Sequence, residues 1–301
     1  MQPTLLVLAA GMGSRYGGLK QLDPVGPSGE TVLDYAVFDA IRAGFGRVVF
    51  VIRAEFADVF RSQIGAKYAG KIAVDYVFQS LQELPPGFTA PPDRSKPWGT
   101  GHAVWCAREA VREPFAVINA DDFYGADSFR RLAKFLRTPA PISLANRPPS
   151  SPATFAIVGF RLANTLSEHG AVSRGICTAA GNARLLSITE RSGILPTDVG
   201  VGKTLTGDET VSMNCWGFHP ALFDGLDAQF REFLGAQRDS SQSEFYLPAA
   251  VSTMIARAEA EVVLLPTDAS WFGVTYREDK PRVVAALSSL IDRGAYPAKL
   301  F

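Results

Sequence analysis

The sequence predicts an α/β protein built on a doubly wound sheet. Short continuous apolar runs recur along the first half, and each is followed by a stretch whose apolar residues return at helical spacing. With 301 residues, 47% of them apolar, the chain can bury a sizeable core as one large domain or two small ones.

The first run, Leu5 to Ala10, ends at a glycine and suits a strand buried on both faces. A polar, glycine-rich stretch follows, from Gly11 to Glu30. Val32, Leu33, Ala36, Val37, Ala40 and Ile41 then keep helical spacing up to Gly44, a natural stop. Val48 to Ile52 is a second buried run, Glu55 to Tyr68 a helical segment, and Ile72 to Phe78 a third strand. Residues 80 to 98 carry Pro85, Pro86, Pro91, Pro92 and Pro97 and form a loop longer than connections usually need. A helix from about Gly101 to Val111 and a strand from Phe115 to Asn119 come next, then a helix over Ser128 to Leu136 and a strand near Ile142 to Ala145. Beyond Pro148 the strands shorten: Ala156 to Phe160, Gly175 to Thr178, Leu185 to Thr189 and Val211 to Phe218. Helices near Ala221 to Leu234 and Tyr246 to Ala260, a strand at Val262 to Leu265 and a helix at Pro281 to Asp292 complete the chain. The change of character divides it into residues 1–148 and 149–301, and leaves open one mixed sheet continuous across both.

Thirty basic residues balance thirty acidic ones, which excludes a whole-molecule field for gripping nucleic acid or anionic lipid. No apolar run approaches the roughly 20 residues of a membrane helix. Cys106, Cys177 and Cys215 lie far apart with no C-x-x-C, so neither a disulfide framework nor a zinc site is written here. These features predict a soluble protein of a reducing cytoplasm, with no nucleic-acid or membrane partner.

The segment Leu8-Ala9-Ala10-Gly11-Met12-Gly13-Ser14-Arg15 joins the first strand to a flexible turn. Glycines let backbone N–H groups turn toward an anion, and Arg15 and Lys20 add two cations. The P-loop pattern fails, because no Gly-Lys-Ser/Thr follows at the required spacing. The dinucleotide fingerprint fails as well, since Gly17 falls one residue late and Arg53, not an acid, closes the second strand.

Together with Lys20-Gln21-Leu22-x-Pro24-Val25, this segment resembles the signature of the sugar-1-phosphate nucleotidyltransferases, the enzymes that make nucleotide sugars. The resemblance implies a Rossmann-like mixed sheet of nucleotidyltransferase type, with a nucleotide-binding first half and a sugar-phosphate-binding second half. It places Ala9, Ala10, Gly11, Gly13 and Ser14 at the nucleotide. Gln79 and Gly99-Thr100-Gly101-His102-Ala103 match the positions that read the nucleobase, in a form closer to the uridylyl than to the thymidylyl enzymes. Asn119-Ala120-Asp121-Asp122 ends a buried strand, where open α/β sheets bind ligands. Two adjacent carboxylates there need a cation or hydrogen bonds to offset their burial. The resemblance makes Asp121 the Mg²⁺ ligand, with Asp122 beside it at the nucleotide.

In the second half, Arg174-Gly175-Ile176 and Ile188-Thr189-Glu190-Arg191 resemble the positions that hold the sugar phosphate, with Arg191 where lysine is usual. Asn214, within Ser212 to Phe218, resembles an asparagine that faces the sugar, and Glu244 to Leu247 the start of a family helix. Trp271-Phe272-Gly273 departs from the pattern: Gly273 stands where many relatives carry an aspartate that completes the metal site, and the candidate substitutes are Asp268, then Asn214, or a second carboxyl recruited from elsewhere.

The reaction implied joins a nucleoside triphosphate, UTP or dTTP, to a sugar 1-phosphate and releases pyrophosphate. The nucleophile is a phosphate oxygen already ionised near neutral pH, so no histidine base is needed. That suits a chain whose three histidines form no recognisable triad. Arg15 would stabilise the leaving pyrophosphate, Lys20 would hold phosphate oxygens and Mg²⁺ on Asp121 would bridge the triphosphate. Two other readings remain: a nucleotide-sugar sensor without turnover, which Gly273 favours, and a cytidylyl- or molybdopterin-type nucleotidyltransferase. The sequence fixes neither the sugar nor the oligomeric state.

Overall fold

Strand β1 (Thr4–Leu8) lies between two parallel neighbours, β2 (Arg47–Ile52) and β4 (Phe115–Asn119), with Leu6 beside Val49 on one side and Val117 on the other. A strand paired on both edges has its ladder groups satisfied in the sheet, so it can be apolar throughout. Accordingly Leu5, Leu6 and Val7 are all fully buried. β3 (Ala73–Phe78) pairs parallel with β2 and forms one edge. A computed structural model describes residues 1–11, 22–138, 151–168, 170–237, 241–273 and 277–301. The strand expected near Ile142 to Ala145 lies outside them, as do Gly13, Ser14, Arg15 and Lys20 of the glycine loop.

Beyond β4 the sheet continues into the second half of the chain. β9 (Thr210–Phe218) runs antiparallel to β4, β6 (Ala153–Arg161) antiparallel to β9, and β10 (Ala260–Thr267) parallel to β6. The order is β10-β6-β9-β4-β1-β2-β3, and strands from both sides of residue 148 share one sheet. A ribbon of β7 (Val172–Ala179) and β8 (Leu185–Ile194) branches from β9, with Gly175 opposite both Glu190 and Ser212. Two short strands, β5 (Asp122–Phe123) and β11 (Phe272–Gly273), pair separately.

Side chains alternate between the two faces. Leu5, Val7, Val48 and Phe50 join one core with helices α1 (Val32–Ala43) and α4 (Gly125–Arg137). Leu6, Val49, Phe115 and Val117 join another with α3 (Thr100–Cys106), α5 (Leu222–Ala236) and α6 (Leu247–Ala256). Helices on both faces of a mostly parallel sheet make the fold a doubly wound, Rossmann-like α/β architecture. A third cluster seats α7 (Lys280–Asp292) and Tyr296 against Tyr35 and Phe123. No described helix is long and apolar enough to cross a membrane.

Three elements differ from the sequence expectation. The helical segment over residues 54–68 is broken into 3-10 turns, the three-residue α2 (Ala57–Val59) and a π turn at Phe60–Ile64. The helix expected to reach Val111 leaves α geometry at Cys106 and continues as turns. The helix expected to reach Ala260 stops at Ala256, because Ala258 takes a left-handed φ of 57° that turns the chain into β10.

Candidate functional site at the carboxyl ends of β1, β3 and β4

The polar residues gather where parallel strands end. β4 finishes at Asn119, whose Nδ2 donates to Asp122 Oδ2 at 2.9 Å and whose Oδ1 accepts from Asn214 Nδ2 at 2.7 Å. Asn214 Oδ1 accepts in turn from Trp216 Nε1 at 2.9 Å. The Asn214 backbone is left-handed, φ 58°, a conformation asparagine tolerates better than most L residues. Asp122 is buried, and its Oδ2 also faces the Tyr124 hydroxyl at 3.1 Å. That hydroxyl shares its proton with the Met213 carbonyl and accepts from the Asn119 N–H. Burial beside Asp122 pushes the Tyr124 phenol far above its ordinary range, so it stays a donor. Asp121, half-buried, occupies the turn between β4 and β5.

The β5–β11 pairing sets Gly273 opposite Asp122. A Cβ on residue 273 would stand 2.6 Å from Asp122 Oδ1 and 3.1 Å from the Trp271 ring. The Asp122 carboxylate thus takes the space in which a side chain at 273 would begin. Asp268, a candidate substitute, is exposed beyond the end of β10. Among the described residues no group of three or more His, Cys, Asp or Glu side chains could hold a metal. Two successive carboxylates nevertheless suit Mg²⁺, which often takes one or two carboxylates and completes its shell with water and phosphate oxygens.

A cavity of about 300 Å³ opens beside the end of β3, lined by Ala10, Arg53, Gln79, Ser80, Pro97 and Trp98. The proline-rich loop that walls it is tied down. Trp98 Nε1 donates to Leu81 O at 3.0 Å, and the buried Arg94 stacks over the Trp98 ring while donating to Pro97 O and Ser243 O. Gly99 has φ 102°, and a Cβ there would lie 2.6 Å from Phe245 O. Only glycine allows this approach, in which Phe245 N donates to Trp98 O and Gly101 N donates to Phe245 O. The Gln79 side-chain nitrogen donates to Gly99 O at 3.1 Å.

A larger cavity, about 640 Å³, is lined by Thr100, Asn119, Ile188, Glu190, Asn214 and Tyr246, among others. Thr100 Oγ1 accepts from Leu247 N at 3.0 Å and so caps α6. Gly175 is buried opposite Glu190, where a Cβ would crowd Ile188. Arg191, the next residue along β8, is exposed and does not line this cavity, as the alternation of a strand dictates. Arg174, the register partner of Arg191, is half-buried and lines a separate cavity of about 250 Å³ with Thr165, Trp271 and Gly273. Its guanidinium stacks over Trp271 at 4.9 Å and donates to Thr165 Oγ1 at 3.1 Å and to the Ser173 carbonyl at 2.8 Å. Burial pulls its pKa down to about 10, against the pull of the Asp122 and Glu190 carboxylates.

Ala9, Ala10 and Gly11 follow β1; Gln79 lines the smaller cavity and donates to Gly99 O; Thr100, Glu190 and Asn214 meet at the larger. Sequence reasoning named Asn119, Arg174 and Tyr246 only as members of matched segments, with no role of their own. For Arg174 the signal was present, as the neighbour of a matched glycine. Asn119 lies 95 residues from Asn214, and nothing local announces that pair.

Residues 5–175 match the MobA-like NTP transferase domain, more than half of the chain. The structure is similar to that of a UDP-glucose pyrophosphorylase complexed with UDP-glucose, with a TM-score of 0.61 and 16% identity over 96% of this chain and 99% of that one. It is likewise similar to the inositol-1-phosphate CTP transferase from T. maritima, with a TM-score of 0.62 and 12% identity over 97% of each chain. No curated protein matches. At such identities the two structures bear on the fold alone.

Proposed function

The chain belongs to the MobA-like NTP transferase family, and from that premise we propose that this nucleotidyltransferase joins a nucleoside triphosphate, UTP or dTTP, to a sugar 1-phosphate. The observation that carries the reading is the pair of cavities at neighbouring strand ends, with Asp121 and Asp122 at the end of β4. The smaller cavity, at Gln79, suits a nucleobase. The larger, with amides and one carboxylate, suits a polyhydroxylated ring. A transferase must hold two substrates with their reacting atoms aligned, and much of its rate comes from that alignment.

Asp121 and Asp122 are the residues that would hold Mg²⁺, and Asn119 and Tyr124 keep Asp122 oriented for it. When bound, the cation neutralises phosphate charge as it builds toward the leaving pyrophosphate. Glu190 and Asn214 accept and donate to sugar hydroxyls, and Arg174, which feels the Asp122 and Glu190 carboxylates, adds positive potential beside the site. Arg15 and Lys20, which follow β1 in the sequence, hold the triphosphate and receive the charge of the departing pyrophosphate. An ionised phosphate oxygen attacks the α-phosphorus opposite the pyrophosphate, so the protein removes no proton. The usual carboxylate at 273 is not missed under this reading, because Asp122 already reaches that space.

The test is pyrophosphate release across nucleoside triphosphates crossed with common sugar 1-phosphates, with and without Mg²⁺. Release that requires both substrates and the metal is expected. Silence with every pair, from folded protein, would leave the sensor reading in its place.

A further inference from the structure

His102 is fully buried in the first turn of α3, and its two ring nitrogens have different neighbours. Nε2 lies 2.7 Å from the Glu83 carbonyl oxygen, with the Cys106 sulfur at 3.4 Å. A carbonyl only accepts, so Nε2 carries a proton. The ring packs against Trp105 and Phe230, with centroids 5.8 and 5.0 Å away, and burial depresses its pKa to about 4. A neutral imidazole with its proton on Nε2 has a bare lone pair on Nδ1. The group facing that lone pair, at 3.1 Å, is the Gln79 side-chain nitrogen. The same nitrogen lies 3.1 Å from Gly99 O, a second acceptor.

Both N–H groups of the Gln79 amide are therefore committed inside the protein. Turning the amide over would set its oxygen against a lone pair and a carbonyl at once, leaving all three unsatisfied. Whatever Gln79 offers to a molecule in the 300 Å³ cavity must be its oxygen, an acceptor.

We propose that His102 is a positioning residue for nucleobase selection: by holding the Gln79 nitrogen inward it makes Gln79 an acceptor, and so selects bases with an N–H at the middle of their pairing edge. Uracil, thymine and guanine carry that N–H. Cytosine and adenine present a bare ring nitrogen there, which would face the Gln79 oxygen lone pair to lone pair. This inference rests on reading the smaller cavity as the base site. Sites that hydrogen-bond a substrate group reject the analogue lacking it far more strongly than apolar pockets reject a missing methyl. UTP, dTTP or GTP should thus exceed CTP and ATP in kcat/KM by at least about 100-fold.

The experiment combines three readouts on the full chain. Nitrogen NMR of the labelled protein should show His102 as the Nε2–H tautomer, unchanged down to about pH 5; an Nδ1–H tautomer would overturn the proposal whatever the activity. In the nucleotide panel, pyrophosphate release with UTP and CTP at equal kcat/KM would overturn it while leaving the transferase reading standing. No release with any nucleotide would instead count against that reading, and the tautomer would still decide this one. His102→Leu removes the acceptor and should cut the UTP-to-CTP ratio at least tenfold. His102→Asn sets an amide oxygen near the place of Nδ1 and should restore much of the ratio. A folded Leu variant, judged by thermal melting, with its ratio unchanged would reduce His102 to a packing residue.

Discussion

Asp122 is held before any substrate arrives, by Asn119 and Tyr124 on one oxygen and by the crowding at Gly273 near the other. Asp121 is its neighbour in the turn after β4. Asp121→Asn is accordingly expected to lower kcat by about 100- to 1000-fold while melting as the parent does, since charge is lost and shape kept. Asp122→Asn should cost less in kcat but weaken Mn²⁺ binding measured by EPR in the presence of nucleotide. Gly273→Asp presses a second carboxylate on Asp122 and should lower the melting temperature by several degrees. Combining it with Asp122→Asn, which restores an acid-amide pair, should recover most of that loss. The strand-end acids were legible in the sequence because a buried apolar run ending in two aspartates is costly without a purpose. How Asp122 is held was not, because Asn119 and Tyr124 reach it only through the fold of the turn, and Gly273 only through the β5–β11 pairing.

At the scale of elements, the two cavities are coupled through one backbone contact, the approach of residues 98–101 to Phe245. Gly99→Ala sets a methyl 2.6 Å from Phe245 O in a backbone region hostile to L residues, and should cost about 2–4 kcal/mol in denaturant unfolding. A stability loss below about 0.5 kcal/mol would mean the loop adapts freely. Asn214 separates backbone from side chain. Asn214→Gly keeps the left-handed φ at no steric cost but removes the amide between Asn119 and Trp216. It should raise the KM for sugar 1-phosphate about tenfold and leave that for the triphosphate within about twofold. Buried parallel strands were readable from apolar runs alone, since β1, β2 and β4 begin within a residue of where those runs suggest. Residues 54–68 were not, because helical spacing does not tell an α-helix from a chain of 3-10 and π turns. There Gly65 admits the Tyr76 side chain so closely that a Cβ would collide with it, a tertiary constraint with no periodic trace.

For the molecule as a whole, Asp39 links the C-terminal segment to α1. Tyr296 donates to its Oδ2 at 2.6 Å, and Oδ1 has no hydrogen-bond partner among the described residues. Burial raises this carboxyl to about pH 7, in spite of the Tyr296 hydroxyl and Arg42, which favour the charged form. The folded state then keeps a proton that the unfolded chain loses near pH 4. Stability from this group is full below that pH and is lost as pH rises toward 7, by up to about 4 kcal/mol. The melting midpoint should fall between pH 5 and pH 8, and Asp39→Asn should flatten the slope. A midpoint that climbs over that range would contradict the assignment. The sheet order bears on how the protein is made. β4 lies between β1 and β9, yet β9 leaves the ribosome about a hundred residues later, an interval on the order of 5–20 s at ordinary elongation rates. Throughout it, the apolar run Phe115–Asn119 presents an unpaired edge, the kind of template on which nascent chains join one another. A holdase that binds extended apolar segments should therefore crosslink to stalled chains ending near residue 150, and let go of those that have exposed Phe218.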